Sequence, residues 1–327
     1  MLTTIFSLPA SRQSYATPCF SCAMLLWLSL ISTLLILPFI LAYLGGSFWL
    51  KESFYWEQPQ VVYAQQLLLL VQGISASTAA PITVMYSTNA LFNQFMDPFV
   101  RMAAIKSWMV DFDADGVNDQ ILFNISVPVG ADEQVNHVRL AIGLQYQLSS
   151  QIRFYTQSMF FIDTASPLTG NSLYVDGDLQ LIQRWPMQDK VDYMFTNPAI
   201  NFTQAVGNDY AALTWPRIVS DYLDKDVRTT LVSPMPIWST PRGSNDPFTI
   251  TIKVRIPKDR IVYRPALLQV LKNGWIQYIA CWVIVAAVLI PLYKYVLQHQ
   301  IVATYVSIQT SVDRDAKHPA GFKRPLF

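Results

Sequence analysis

Cysteine is nearly missing from this 327-residue chain, and none of its three copies, Cys19, Cys22 and Cys281, lies in the long stretch between the two ends. Whatever folds there has no disulfide to staple it, even in an oxidising compartment, so its own apolar core must hold it together. About 230 residues suffice, since a domain of that size buries around 70% of the surface its unfolded chain exposes. Histidine is equally scarce, with His137, His299 and His318 the complete set. G-x-S-x-G, H-E-x-x-H and glycine-rich phosphate loops are all absent, which removes the usual hydrolase, zinc-protease and nucleotide-cradle signatures. Carboxylates at 111–119 have no marked partner acid for hydrolysis. A formal net charge of +1 without a basic and aromatic array gives no reason to expect nucleic acid. The expectation is a non-enzyme with no small-molecule substrate. No internal repeat, heptad run or low-complexity segment is present.

Charge is the second absence, and it is localised. No side chain between Arg12 and Lys51 is ionised, and the apolar centre from Cys22 to Leu44 exceeds the roughly 20 residues a helix needs to cross about 30 Å of hydrocarbon. The same holds between Lys272 and Lys294, where Trp275 to Tyr293 form a second span, with Trp275, Tyr278, Trp282, Tyr293 and Tyr295 available for the interfacial belts. Pro38 and Pro291 are tolerable only if neighbours satisfy the freed backbone groups. A cleaved signal peptide is the alternative for the first run. Its apolar core would be about 7–15 residues with a small-x-small cleavage site, whereas Tyr43, Leu44 and Phe48 surround Gly45-Gly46 here. The resulting organisation is a terminus at 1–21, a span at 22–44, a domain at 45–274, a span at 275–293 and a tail at 294–327.

Two signals for orientation compete. Arg255, Lys258, Arg260, Arg264 and Lys272 precede the second span, while Lys294 is the one nearby cation after it before Arg314, which locally favours a cytosolic domain. Long domains translocate largely regardless of charge, and this one carries two glycosylation acceptor patterns, Asn124-Ile125-Ser126 and Asn201-Phe202-Thr203. The expectation is a lumenal or extracellular domain with both termini cytosolic. Cys19 and Cys22 form a C-x-x-C with no second pair to complete a zinc site, leaving burial at the membrane boundary or acylation. Arg314, Lys317, Lys323 and Arg324 give the tail some affinity for anionic membrane lipids, diluted by Asp313 and Asp315, in a segment that otherwise reads as solvated and disordered.

Period-two alternation dominates the domain. Val138, Leu140, Ile142, Leu144, Tyr146 and Leu148 alternate with Arg139, Ala141, Gly143, Gln145 and Gln147; Phe248 to Ile256 repeats the pattern. Val61–Val71, Ile82–Tyr86, Ile121–Val127 and Ile152–Ile162 follow it more loosely, and all are expected to be half-buried antiparallel strands. Leu173–Val175 and Leu179–Leu181 are expected to form a hairpin through Asp176-Gly177, a dipeptide suited to positive φ angles. Pro216, followed by Ile218, Val219, Tyr222 and Leu223 on one stripe, predicts a short helix ending at Asp224-Lys225-Asp226. The fold class is therefore a mainly β membrane protein, with two transmembrane helices flanking a β-sandwich-like lumenal or extracellular domain. Entrance and exit through neighbouring spans place the first and last strands, near Val61 and Ile256, at one end of the sandwich.

Asp111-Phe112-Asp113-Ala114-Asp115-Gly116-Val117-Asn118-Asp119 is the sharpest local signal. Carboxylates at alternate positions converge where Gly116 lets the chain turn beneath a cation, as in the first half of a calcium loop. The twelfth position holds Leu122 instead of a bidentate Glu, so this is no EF-hand. The readings left are a β-loop calcium site using Asp111, Asp113, Asp115, the Val117 carbonyl and Asp119, or an acidic surface turn. Calcium is the one cofactor the residues suggest.

The order of blocks resembles the transmembrane protein 231 family. The matching pieces run from Phe6-Ser7-Leu8-Pro9 and Ser14-Tyr15, through Phe48-Trp49-Leu50-Lys51 and Glu57-Gln58-Pro59, to the loop Asp111–Asp119 and Gln157-Ser158-Met159. They continue through Leu173–Leu179, Val227-Arg228-Thr229-Thr230, Pro236-Ile237-Trp238 and Tyr263-Arg264-Pro265 to Trp275-Ile276-Gln277-Tyr278 and Gln298–Val302. The pattern is not followed in Ile182–Trp215 or after Ser311. The resemblance implies a two-span component of the Meckel syndrome (B9-type) complex at the ciliary transition zone. It further implies a role in the gate controlling ciliary membrane protein composition, ciliogenesis and signalling, with other transition-zone membrane proteins and B9-domain proteins as partners. A glycosylated two-span accessory subunit of a lipid flippase or channel is the alternative, disfavoured by the absence of ectodomain cysteines.

Overall fold

The computed structural model of the chain describes residues 12–18, 21–46, 48–198, 200, 214–240, 243 and 246–309. It divides into two compact units, Met1–Lys51 with Ala266–Phe327, and Glu52–Pro265.

The first unit is a helix pair. Helix α1 (Cys22–Leu44) begins at Ser21, whose Oγ accepts the Met24 N–H at 3.3 Å, and ends where the Gly45 N–H reaches the Leu41 carbonyl. Within it, Ser29 and Thr33 return their hydroxyls to the carbonyls of Leu26 and Ser29, both at 2.8 Å, so neither is left unpaired in hydrocarbon. Helix α4 (Leu267–Gln298) packs against α1 and is long and apolar enough to cross a membrane, as α1 is. It extends beyond the uncharged window at both ends, because Leu267, Leu271, Lys272, Lys294 and Leu297 are good helix formers whether or not they lie in lipid. Strand β1 (Arg12–Ala16), ahead of α1, pairs antiparallel with β15 (Tyr305–Gln309), after α4, in a register from Arg12↔Gln309 to Ala16↔Tyr305. The segments that flank the helix pair, Arg12–Ala16 and Tyr305–Gln309, therefore lie together at one end of it.

The second unit is a β-sandwich. One sheet has the order β11 (Tyr193–Phe195), β8 (Phe154–Gly170), β7 (Glu133–Leu148), β3 (Gln60–Ser75), β4 (Pro81–Ser87). The facing sheet has the order β12 (Val227–Ser239), β9 (Ser172–Gln183), β13 (Phe248–Arg255), β6 (Gln120–Val127), β5 (Ala104–Val110). A small sheet joins β10 (Met187–Gln188), β14 (Asp259–Arg264) and β2 (Ser53–Glu57). Strict alternation sets β6 and β13 in the facing sheet: Ile121, Phe123, Ile125 and Val127 sit opposite Val254, Ile252, Ile250 and Phe248, all buried. Across the gap, Tyr63 and Phe160 pack on Phe123, with Tyr63 edge-on at 5.1 Å between ring centroids.

Alternation fails where a sheet is covered twice. Leu67 to Val71 of β3 are buried in succession, because Leu68 turns outward under helices α2 (Ala90–Phe95) and α3 (Trp215–Leu223) to join Phe92, Ile218 and Tyr222 in a second cluster. The predicted helix after Pro216 is α3, with Ile218 and Tyr222 buried and Leu223 exposed.

Three expectations need correction. Asp176-Gly177 is not a hairpin turn: β9 runs straight through it, and the strand is specified by what flanks the dipeptide. Arg255 of β13 bridges Asp176 at 2.6 Å and Asp178 at 3.4 Å, while a Cβ on Gly177 would lie 2.8 Å from Leu231 Cγ. The pairing is not wholly antiparallel either, since β13 runs parallel to β9 from Thr249↔Ser172 to Arg255↔Asp178. Finally, the outermost strands of the domain are β2 and β14 rather than those at Val61 and Ile256. They pair with each other, Ser53 opposite Tyr263, so the chain enters and leaves this unit side by side.

Candidate functional site

The loop between β5 and β6 closes where Val110 faces Gln120 and the Asp119 N–H reaches the Val110 carbonyl at 2.9 Å. Its turn is made by two left-handed residues, Gly116 at φ +87° and Ala114 at φ +56°. Each acidic side chain also organises the backbone. Asp111 Oδ2 accepts the Gly116 N–H at 3.0 Å, Asp115 Oδ1 the Val117 N–H at 2.7 Å, and Asp113 Oδ1 the Asp115 N–H at 3.4 Å. The result brings one carboxylate oxygen from each of Asp111, Asp113 and Asp115 within 4.8 Å of the others. Asp111 Oδ1 is buried without a hydrogen-bond partner among the described residues.

Local desolvation and the neighbouring Asp115 charge push the Asp113 carboxyl above its ordinary pKa. Three converging oxygens of this kind suit a hard divalent cation. Asp119 is used differently. Its Oδ2 accepts the Phe112 N–H at 2.8 Å and its Oδ1 the Gln58 amide at 2.7 Å, and these bonds, the first above all, hold its pKa below the ordinary range. Asp119 therefore braces the loop rather than joining the cluster of three. Val117 lies beside it, with Asn118 Nδ2 tied to the Val61 carbonyl at 3.0 Å.

Asn124 lies in the middle of β6, between Lys106 and Thr251, on the face turned from the core. It is half-buried, and its Oδ1 has no hydrogen-bond partner among the described residues. Asn201, Cys19 and the basic tail fall outside the described residues. Cys22 is exposed on α1 and Cys281 is partly covered on α4, both as free thiols.

Two polar knots were not legible in the sequence. Asp259, only 4% exposed, presents Oδ2 to the Tyr146 hydroxyl at 2.8 Å and to the Leu181 N–H at 3.1 Å. One carboxylate oxygen thus ties β14, β7 and β9, one strand from each of the three sheets. Burial raises the Asp259 pKa against these two bonds, which lower it. The segment Pro257-Lys258-Asp259-Arg260 reads as a charged surface turn, and nothing local betrays the burial. The second knot is the Tyr222 hydroxyl of α3, which accepts the N–H groups of Met159 and Thr229, both at 2.9 Å. Thr229 Oγ1 donates to the Met159 carbonyl at 3.0 Å, so the edge of β8 is closed onto β12 by side chains rather than by a ladder.

Comparison with known proteins bears on the whole chain. A family model described as Transmembrane protein 231 matches residues 1–306. Among curated relatives, Transmembrane protein 231 of Bos taurus is 33% identical over 304 residues, covering 93% of this chain and 94% of the relative. The protein of that name from Gallus gallus is 32% identical over 302 residues, with 92% of each chain covered, and that from Homo sapiens is 32% identical over 304 residues, with 93% and 94% covered.

Proposed function

This chain belongs to the transmembrane protein 231 family, and from that premise we propose that it is a non-enzymatic structural component of the ciliary transition-zone membrane complex. In this reading it helps build the gate at the cilium base that controls ciliary membrane protein composition, ciliogenesis and signalling. The observation that carries the proposal is the family match across residues 1–306, joined to an architecture of two membrane helices and one sandwich. The sandwich packs on neighbouring ectodomains of other transition-zone membrane proteins, the spans fix its height, and the cytosolic ends meet B9-domain proteins and anionic lipid.

The topology proposed with it has the sandwich lumenal or extracellular and both termini cytosolic. The pairing of β1 with β15 supports termini on one side, and the acceptor patterns at Asn124 and Asn201 support translocation. Calcium bound by Asp111, Asp113 and Asp115, with Val117 and Asp119 completing or bracing the loop, rigidifies the β5–β6 connection.

Tagged full-length protein, imaged against a transition-zone marker in ciliated cells, tests the function; the expected result is a focus at the ciliary base and leakage of non-ciliary membrane proteins into cilia on its loss. Uniform distribution along the secretory pathway with intact ciliary composition would refute the role. Glycosidase treatment tests the topology, with a mobility shift in the natural chain that Asn124→Gln with Asn201→Gln abolishes. Protease protection in sealed vesicles gives the opposite pattern if the sandwich is cytosolic.

A further inference from the structure

Among the described residues, the arginines of the sandwich unit are neutralised within it, with two exceptions. Arg101, Arg139, Arg153, Arg184, Arg217 and Arg255 each form an ion pair with a carboxylate, and Arg228 donates to the Leu223 and Lys225 carbonyls. Arg260 and Arg264 of β14 are exposed and have no ion pair among the described residues; Glu52, the exposed carboxylate just ahead of β2, joins neither.

These two stand on one face with exposed rings. Arg260 lies opposite Trp56 and Val262 opposite Phe54 in the β2–β14 ladder, so alternation sends Arg260, Val262, Arg264, Phe54 and Trp56 to one side of the small sheet, while Ile261 and Tyr263 are buried on the other. The Arg260 guanidinium sits over the Phe54 ring, 4.1 Å from its centroid. Phe54 is 50% exposed and Trp56 62%, the reverse of the polar composition expected of a wetted sheet face.

Two bare rings beside two guanidiniums without an anion fit an occupant that is apolar and anionic at once. The headgroup layer of a bilayer is both. Tryptophan concentrates there because its ring body is apolar and its N–H polar, and a guanidinium matches phosphate oxygens bidentately. Chain connectivity favours the membrane over an acidic protein partner. Arg264 and Arg260 stand three and seven residues before α4 begins at Leu267, so even fully extended chain keeps them within about 11 and 25 Å of that helix. The basic cluster ahead of the second span also changes meaning, since Arg255 is neutralised by Asp176 and Asp178 while Arg260 and Arg264 are left for lipid.

We propose that the outward face of the β2–β14 pair is a membrane-docking surface, with Arg260 and Arg264 taking phospholipid phosphates and Phe54 and Trp56 seated at the interface. The inference requires that α1 and α4 span a bilayer and holds whichever side of it the sandwich is on.

The test uses the full chain in nanodiscs of phosphatidylcholine and phosphatidylserine, with the photoprobe p-benzoylphenylalanine in place of Val262, which lies between the two arginines and leaves the four other side chains intact. The same probe in place of Leu168, exposed near the far end of β8, is the reference. Irradiation followed by mass spectrometry should give lipid adducts at position 262 at least about tenfold above those at 168. Arg260→Gln with Arg264→Gln should lower the yield at 262 by about tenfold, as expected for two cations near an anionic surface, and Trp56→Ser should lower it as well. Arg260→Lys with Arg264→Lys, which restores the charge, should recover part of the loss, whereas a loss through misfolding would not be recovered. Equal lipid adducts at 262 and 168 would overturn the proposal. So would a yield at 262 that the glutamine pair and Trp56→Ser leave unmoved, a loss that the lysine pair does not recover, or adducts at 262 to a second protein chain in place of lipid.

Discussion

Replacing Tyr146 by Phe removes one hydroxyl from the buried Asp259 carboxylate and leaves the ring, with its edge-on contact to Phe154 at 6.3 Å, in place. Asp259 Oδ2 then keeps only the Leu181 N–H. A hydrogen bond to a charged group contributes about 1.5–3 kcal/mol, so where the carboxylate is ionised the variant should lose about that much. For a domain of this size 1 kcal/mol moves the Tm by roughly 2–4 °C, which predicts a fall of about 3–12 °C. Tryptophan-fluorescence melts of the full chain in detergent measure it. The pH dependence carries more information. Burial holds the folded-state pKa of Asp259 above its unfolded value near 3.8, so the folded state binds the proton more tightly. Its contribution to stability is therefore fullest below the unfolded value and is lost as pH rises to the raised folded one. Tyr146→Phe removes a bond that opposes the shift, so the loss should extend to higher pH. Asp259→Asn, which keeps an acceptor for both donors but no titration, should flatten the profile. A Tyr146→Phe penalty that is the same in the Asp259→Asn background and at every pH would refute the account.

Three further outcomes follow from the same geometry. If the acidic loop binds calcium at the roughly 10⁻⁴–10⁻³ M of extracellular modules, 10 mM calcium should stabilise the protein by about 1.4–2.7 kcal/mol. Asp113→Ala should erase that gain, and identical melts with calcium and with chelator would remove the site. Gly177→Val should destabilise by about 1–3 kcal/mol through overpacking against Leu231, whereas a tight turn at Asp176-Gly177 would leave the Leu231 contact unchanged; a double change with Leu231→Ala should recover part of the loss. Tyr222→Phe leaves the buried N–H groups of Met159 and Thr229 without their shared acceptor, at about 1–3 kcal/mol each, and hydrogen exchange at those two amides should rise ahead of the rest of β8 and β12.

The parts of this fold that depend on near neighbours were legible in the sequence. Two uncharged runs read as α1 and α4, the alternation of Ile121–Val127 and Phe248–Ile256 read as β6 and β13, and the spacing of Asp111, Asp113, Asp115 and Gly116 read as a converging loop. The spacing of Asp119 is that of a fourth ligand, while its hydrogen bond with Gln58 depends on the link between β2 and β3, 61 residues away. The Asp176-Gly177 reading failed because a glycine required by a neighbour's bulk looks the same in sequence as one required by a turn. Helix α2 left a faint trace: Asn89 caps it, with Oδ1 accepting the N–H groups of Leu91 and Phe92, but six residues are too few to show a period. The knots at Asp259 and Tyr222 join residues that only tertiary folding makes adjacent.

The ladder between β2 and β14 has a mechanical meaning. Its two strands are antiparallel and the chain attaches to both at the same end, with Ser53 opposite Tyr263. Any force that drew the attached tails apart would load this ladder like a zipper, breaking its hydrogen bonds one by one from the Ser53–Tyr263 end, rather than in shear, where all must yield together. A pull on those tails would thus be felt first at the Ser53–Tyr263 rung, and the buried Asp259, opposite Glu57 at its far end, would be the last rung to part.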